Sequence, residues 1–101
     1  MEPFTVALQK AEQNDASSLV RVGLAYLNGT DNLPRNRNLA YNYFRLAEAA
    51  GSVDALYQLG ICARKGFGRS VNLKVAFEYW TKAAEKKHAP SITALGNMHY
   101  N

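Results

Sequence analysis

The chain has 101 residues, of which 48% are apolar and 20% charged, the makeup of one folded domain rather than a disordered tail. Twelve Lys and Arg against eight Asp and Glu give a net charge of +4, and because Arg35, Arg37, Lys86 and Lys87 are scattered, no dense basic run marks a nucleic-acid surface. Cys62 is the sole cysteine, which excludes a disulfide scaffold, and no stretch approaches the roughly 18 apolar residues of a membrane-spanning helix.

From the N-terminus, Met1-Glu2-Pro3-Phe4 lacks the basic opening and apolar run of a signal peptide, so a reduced, cytoplasmic setting is expected. Pro3 suits the first turn of a helix near 4–13. Leu19, Val22, Gly23 and Tyr26 then share one face of a helix over 16–28. After a loop around Asp31 to Arg35, Asn36 can cap a helix over 37–50 whose stripe is Ala40, Tyr43, Phe44 and Ala47. Gly51 stops it and Ser52 starts the next, over 53–65, with Leu56, Leu59, Gly60 and Ala63 on one face. Gly66-Phe67-Gly68 follows a helix rather than a strand and lacks the further glycine and lysine of a nucleotide loop. Asn72 can cap a helix over 73–87 carrying Ala76, Tyr79, Trp80 and Ala83. Pro90 opens the last, over 90–100, with Ile92, Leu95, Gly96 and His99.

These elements repeat. Gly23, Gly60 and Gly96 recur 37 and 36 residues apart, each within a similar apolar stripe, and Ala40 to Phe44 matches Ala76 to Trp80 at an offset of 36. The additional residue of the first unit falls in the loop around Asp31 to Arg35, where insertion is cheapest. A glycine inside a helix costs about 0.5–1 kcal/mol relative to alanine. Recurrence at matched positions implies close helix contact, with an aromatic ring of the partner filling the space beside each glycine. The expectation is an all-α fold, an α-solenoid of antiparallel helix hairpins. It divides into a half repeat over 3–15, repeats over 16–51 and 52–88, and the first helix of a further repeat over 89–101.

The residues Val22-Gly23, Tyr26 and Gly29, then Leu59-Gly60, Gly66 and Gly68, then Asn72, Ala76, Tyr79-Trp80 and Lys82-Ala83-Ala84 resemble the Sel-one-like repeat (SLR) family, close kin of the tetratricopeptide repeat. The resemblance covers nearly the whole chain. It departs from the family pattern at Asn36 and Asn72, which stand for aspartate, and at Asn32, Ala63, Glu48 and Arg69; these changes imply looser loops but keep the two-helix unit. The tetratricopeptide period of 34 fits less well. An RNA-reading array of about one base per repeat would read only about two bases here.

The resemblance implies a concave groove lined by the first helices and a convex back formed by the second. Opposite the glycine stripes stand Val20, Arg21, Leu24 and Asn28 in one unit, Tyr57, Gln58, Ile61 and Lys65 in the next, and Thr93, Ala94 and Asn97 in the last helix. Val20, Arg21, Leu24, Tyr57, Gln58, Ile61, Lys65 and Asn97 form the candidate partner-binding set, since apolar residues with polar neighbours suit a peptide groove. Val20, Leu24 and Ile61 serve equally well as packing between adjacent repeats. Tyr57, Arg21 and Gln58 point more to the groove, tyrosine and arginine being enriched at interfaces.

No catalytic, metal or cofactor constellation stands out. His88, at a helix end, reads as solvated surface, and His99 as a packed residue in the position of Tyr26. Cys62 matches Ala25 and Met98 and reads as a small buried filler without an orienting partner. Glu48, Asp54, Glu78 and Glu85 are spread as helix-face charges. Trp80 and the tyrosines fall mainly at core positions, so base stacking is the lesser reading. The functional expectation is a protein-interaction or scaffold module for a protein or peptide partner, with RNA or another polyanion as the alternative. The last unit has a first helix and no second. The expectation is either a piece of a longer array or a homodimer through the C-terminal helix.

Overall fold

The computed structural model describes residues 15–99, residue 31 and the side chains of Met98 and His99 apart. The helix expected over 4–13, and the packing expected of His99, lie outside the described residues. The described chain forms α1 (Ala16–Asn28), α2 (Arg37–Ala49), α3 (Val53–Lys65), α4 (Leu73–Glu85) and α5 (Ala89–His99). The one β feature among these residues is an isolated bridge between Thr30 and Leu33 in the first loop. Helix α1 packs on α2 and α3 on α4 as hairpins, and α2 on α3 and α4 on α5 join one hairpin to the next. The molecule is an all-α solenoid.

Capping side chains set where the helices begin. Asp15, Asn36, Ser52 and Asn72 each accept a hydrogen bond of 3.1 Å from the backbone N–H three residues on, satisfying a donor that has no partner inside the helix. The two interhelical linkers of the hairpins are anchored alike. The N–H of Asn36 donates to the Tyr26 carbonyl and that of Asn72 to the Ala63 carbonyl, both at 2.7 Å. Between hairpins, the N–H of Ser52 reaches the Ala47 carbonyl at 3.0 Å and that of His88 the Ala83 carbonyl at 3.1 Å. The repeat seen in sequence is therefore a repeat of backbone hydrogen bonds, with Asn36 and Asn72 capping the second helix of each hairpin.

Helix α4 stops at Glu85, two residues before the expected end, because the chain turns out of the helix at Lys87. That residue adopts φ 62°, the left-handed conformation, where its counterpart Gly51 has φ 99°. Helix α3 ends in glycine: Gly66 is left-handed at φ 78°, ψ 35°, and the N–H groups of Gly66 and Phe67 both donate to the Cys62 carbonyl at 2.8 and 3.0 Å.

The core follows the small–large rule. A Cβ on Gly23 would stand 2.5 Å from Cε1 of Phe44, and one on Gly60 would fall within the indole of Trp80. Both rings are almost fully buried. Trp80 also donates from Nε1 to the Tyr57 carbonyl at 3.1 Å, which satisfies its only polar atom. The larger indole is matched by a smaller neighbour: where the first hairpin holds Tyr26, stacked on Tyr43 at 5.8 Å, the second holds buried Ala63 in one cluster with Ala76 and Trp80. Gly96 is the exception, with nothing among the described residues within 4 Å of a Cβ placed there.

Candidate functional site

The first helices α1, α3 and α5 carry all eight candidate groove residues, and the structure divides them. Val20 is buried in a cluster with Leu19, Val22, Ala47 and Ala55, and half-buried Leu24 packs against that cluster and against the one around Phe44. Those two positions are occupied by packing between hairpins. Arg21 is exposed and Gln58 half-buried on the same helical faces. Tyr57, Ile61, Lys65 and Asn97 come together, lining a cavity of about 190 Å³ between α3 and α5 with Arg64, Trp80, Pro90, Thr93 and Ala94.

The division has a packing cause. Tyr57 and Ile61 correspond by the repeat to Val20 and Leu24, while Thr93 and Asn97 correspond to Tyr57 and Ile61. At the α1–α3 junction Val20 packs with Ala55, and Leu24 packs against the cluster that holds Leu59 and Cys62. At the α3–α5 junction α5 supplies shorter or polar side chains, and a cavity remains.

Tyr57 is fixed from two sides. Its carbonyl accepts from Trp80 Nε1 at 3.1 Å, and its ring lies 5.6 Å from the imidazole of His88, tilted by 43°. His88 is not the solvated residue expected from its place at a helix end. Its side chain is 14% exposed, Nε2 lies 2.7 Å from Asp54 Oδ1 and Nδ1 2.9 Å from Ser91 Oγ. The Ser91 N–H and Ile92 N–H both donate to the His88 carbonyl at 3.1 Å, so His88 occupies the N-terminal boundary of α5 as Ser52 does that of α3. Sequence spacing offered a partial signal, since His88 and Ser91 stand in the i, i+3 relation of a cap; Asp54, 34 residues away, gave none.

Cys62 is buried, and burial pushes its thiol up from 9.0 to about 11, the nearby Arg69 charge opposing this only in part. At neutral pH it is a protonated, apolar filler rather than a nucleophile. Among the described residues no three His, Cys, Asp or Glu side chains group as a metal site would need, and no helix is long and apolar enough to cross a membrane. A larger, more open cleft of about 550 Å³ lies near the turn between α2 and α3, lined by Glu48, Ser52, Leu56, Lys82, Glu85 and Lys86 among others. Its carboxylates and ammonium groups balance, and none of the candidate groove residues lines it.

The Sel1 repeat model matches residues 16–52 and 53–88, one copy for each described hairpin. The chain belongs to the Sel1 repeat family. Sel1 repeats commonly form protein–protein interaction modules on a non-catalytic scaffold. Two curated relatives from Schizosaccharomyces pombe (strain 972) are similar: chitin synthase regulatory factor 2, 25% identical over 84% of this chain and 17% of its own length, and chitin synthase regulatory factor 1, 33% identical over 85% of this chain and 19% of its own. The chain thus spans about a fifth of those relatives. Among solved structures, a protective antigen of uropathogenic Escherichia coli with an SLR fold superposes with a TM-score of 0.90 at 27% identity, covering 99% of this chain and 21% of the other. A Sel1 repeat protein from Oxalobacter formigenes gives 0.79 at 28% identity, covering 85% and 35%.

Proposed function

We propose that this chain is an adaptor module whose Sel1 repeats hold a peptide or protein partner along the face of the first helices, with the α3–α5 cavity as the anchoring point. The observation that carries the reading is the gathering of Tyr57, Ile61, Lys65 and Asn97 around one cavity of about 190 Å³. Half-buried Tyr57 and Ile61 offer apolar surface there, exposed Lys65 and Asn97 offer charge and hydrogen bonds around it, and exposed Arg21 stands farther along the same face on α1. An aromatic anchor in a pocket with a polar rim is the arrangement that concentrates binding energy in protein interfaces. Two relatives named as regulatory factors are in keeping with an adaptor that acts by binding another protein.

The test compares partners recovered from a lysate by the wild-type chain with those recovered by Tyr57→Ala and by Arg21→Ala. Loss of the same protein with Tyr57→Ala, and weakening with Arg21→Ala, is expected. Unchanged recovery with both variants counts against this face as the binding surface. RNA recovered in place of protein, with affinity falling steeply as salt rises, would favour a polyanion ligand instead.

A further inference from the structure

We infer that the α3–α5 cavity selects an acidic peptide, one that places an apolar side chain against Ile61 and Ala94 and a neighbouring carboxylate against Arg64 and Lys65. This rests on the reading of the groove as a peptide site and adds the chemistry of what it takes.

Three observations converge. First, the cavity is amphipathic: half-buried Tyr57, Ile61 and Ala94 meet exposed Arg64 and Lys65 in the last turn of α3. Its volume of about 190 Å³ suits a single side chain, since an apolar cavity of about 150 Å³ is enough for a benzene ring.

Second, the positive charge is uncompensated. No carboxylate lines the cavity, and neither Arg64 nor Lys65 is in an ion pair with any described residue. The ion pairs among those residues are Arg45 with Glu48 and His88 with Asp54. Asp54, the acidic residue of α3, stands in the first turn at the opposite end of the helix and is engaged there by His88 Nε2 at 2.7 Å. A carboxylate arriving with a ligand would meet two cations and no like charge.

Third, the fold does not require these cations. At the corresponding positions of α1 stand Leu27 and Asn28, and that hairpin forms without them. A phosphate backbone is the less suited ligand, because it spreads its charge over many contacts whereas this cavity has two cations beside one small apolar hollow. Lys65 Nζ lies 5.9 Å from the ring centroid of Phe67, which Arg37 covers more closely at 4.1 Å, so Lys65 borders the cavity with a loose aromatic contact and no carboxylate beside it.

A displayed peptide library with a leucine fixed among randomised positions decides the matter. It is selected on the wild-type chain, on Arg64→Gln/Lys65→Gln, and on Asn97→Trp, which fills the cavity from an exposed position; thermal melting checks that each variant folds. Asp and Glu are expected to be enriched beside the leucine on wild type, with individual acidic peptides binding about 3- to 10-fold more tightly than their Asn and Gln counterparts. That preference should vanish on Arg64→Gln/Lys65→Gln, and binding as a whole should fall on Asn97→Trp. Peptides that are lost on Asn97→Trp but show no acidic preference would overturn this inference and leave the groove standing. Peptides indifferent to Asn97→Trp, or no enrichment on wild type, would overturn both. Oligouridine displacing the acidic peptides, and itself lost with Arg64→Gln/Lys65→Gln, would assign the site to RNA.

Discussion

His88 Nε2 lies 2.7 Å from Asp54 Oδ1, so a ring at the boundary of α5 is tied to the first turn of α3 one repeat earlier. The other ring nitrogen holds Ser91 Oγ at 2.9 Å, and Ser91 is fully buried. The two contacts carry unequal weight. Asp54 is 73% exposed in its side chain, and a solvated pair of that kind contributes about 0.2–1 kcal/mol. Loss of His88 leaves a buried hydroxyl without its partner, which costs about 1–3 kcal/mol. His88→Ala should therefore lower the urea midpoint clearly more than Asp54→Ala does. Equal effects would mean that the imidazole serves only the carboxylate.

The thiol of Cys62 provides a pH test of the core. Its folded value is raised by burial to about 11 from 9.0, so the folded state disfavours the thiolate. The corresponding contribution to stability is complete below pH 9 and is lost as pH rises toward about 11, where the unfolded chain gains by ionising first. Tyr79, raised by the same desolvation, acts in the same direction. Alkaline unfolding of Cys62→Ala should be less steep between pH 9 and 11 than that of wild type. In the native chain at pH 8, a thiol reagent should label Cys62 only as fast as local opening permits, and added denaturant should speed labelling sharply.

Helices and their pairing were legible in the sequence because each depends on local chemistry repeated at one spacing. Asn36 and Asn72 cap where their positions indicate, and the glycine–aromatic pairs of the two hairpins meet as the alternation of small and large residues requires. The groove was half legible. One helical face can be read from the sequence, but whether a residue on it is covered depends on what the neighbouring helices bring to it: Val20 is buried with Ala47 and Ala55, while Tyr57 and Ile61 border a cavity opposite α5. Arg64 lay outside the expected set although it lines the same cavity, because in the corresponding place α1 has an ordinary leucine. The engagement of His88 was hidden for the plainest reason, a partner distant in the chain.

Lys87 occupies the position that Gly51 holds one repeat earlier, and both have positive φ, 62° and 99°. A side chain in this conformation costs about 1–2 kcal/mol through the approach of Cβ to the following carbonyl, offset in part by the greater freedom glycine loses on folding. Lys87→Gly should stabilise the chain by about 0.5–1 kcal/mol, and Gly51→Lys should destabilise it by a similar amount. Urea unfolding of the two variants measures both signs. A destabilised Lys87→Gly would show that the lysine side chain makes contributions beyond its backbone geometry.

Three glycines that look alike in the sequence should respond differently to one added methyl group. At Gly60 a Cβ would collide with the indole of Trp80, whose Nε1 is anchored to the Tyr57 carbonyl and cannot swing away without losing that bond. At Gly23 it would press on the edge of Phe44 at 2.5 Å, a ring with no polar anchor and therefore some freedom to shift. At Gly96 no described residue lies within 4 Å, so helix propensity sets the expectation. Overpacking a filled core costs about 1–3 kcal/mol and occasionally more, whereas alanine in an open helix position gains about 0.5–1 kcal/mol over glycine. Gly60→Ala should be the most destabilising, Gly23→Ala intermediate, and Gly96→Ala should raise the melting temperature. The sign at Gly96 is the sharpest part of the series: a lowered melting temperature there would mean that the face of α5 bearing Gly96 is covered in solution by something large, as Gly23 and Gly60 are covered by their rings.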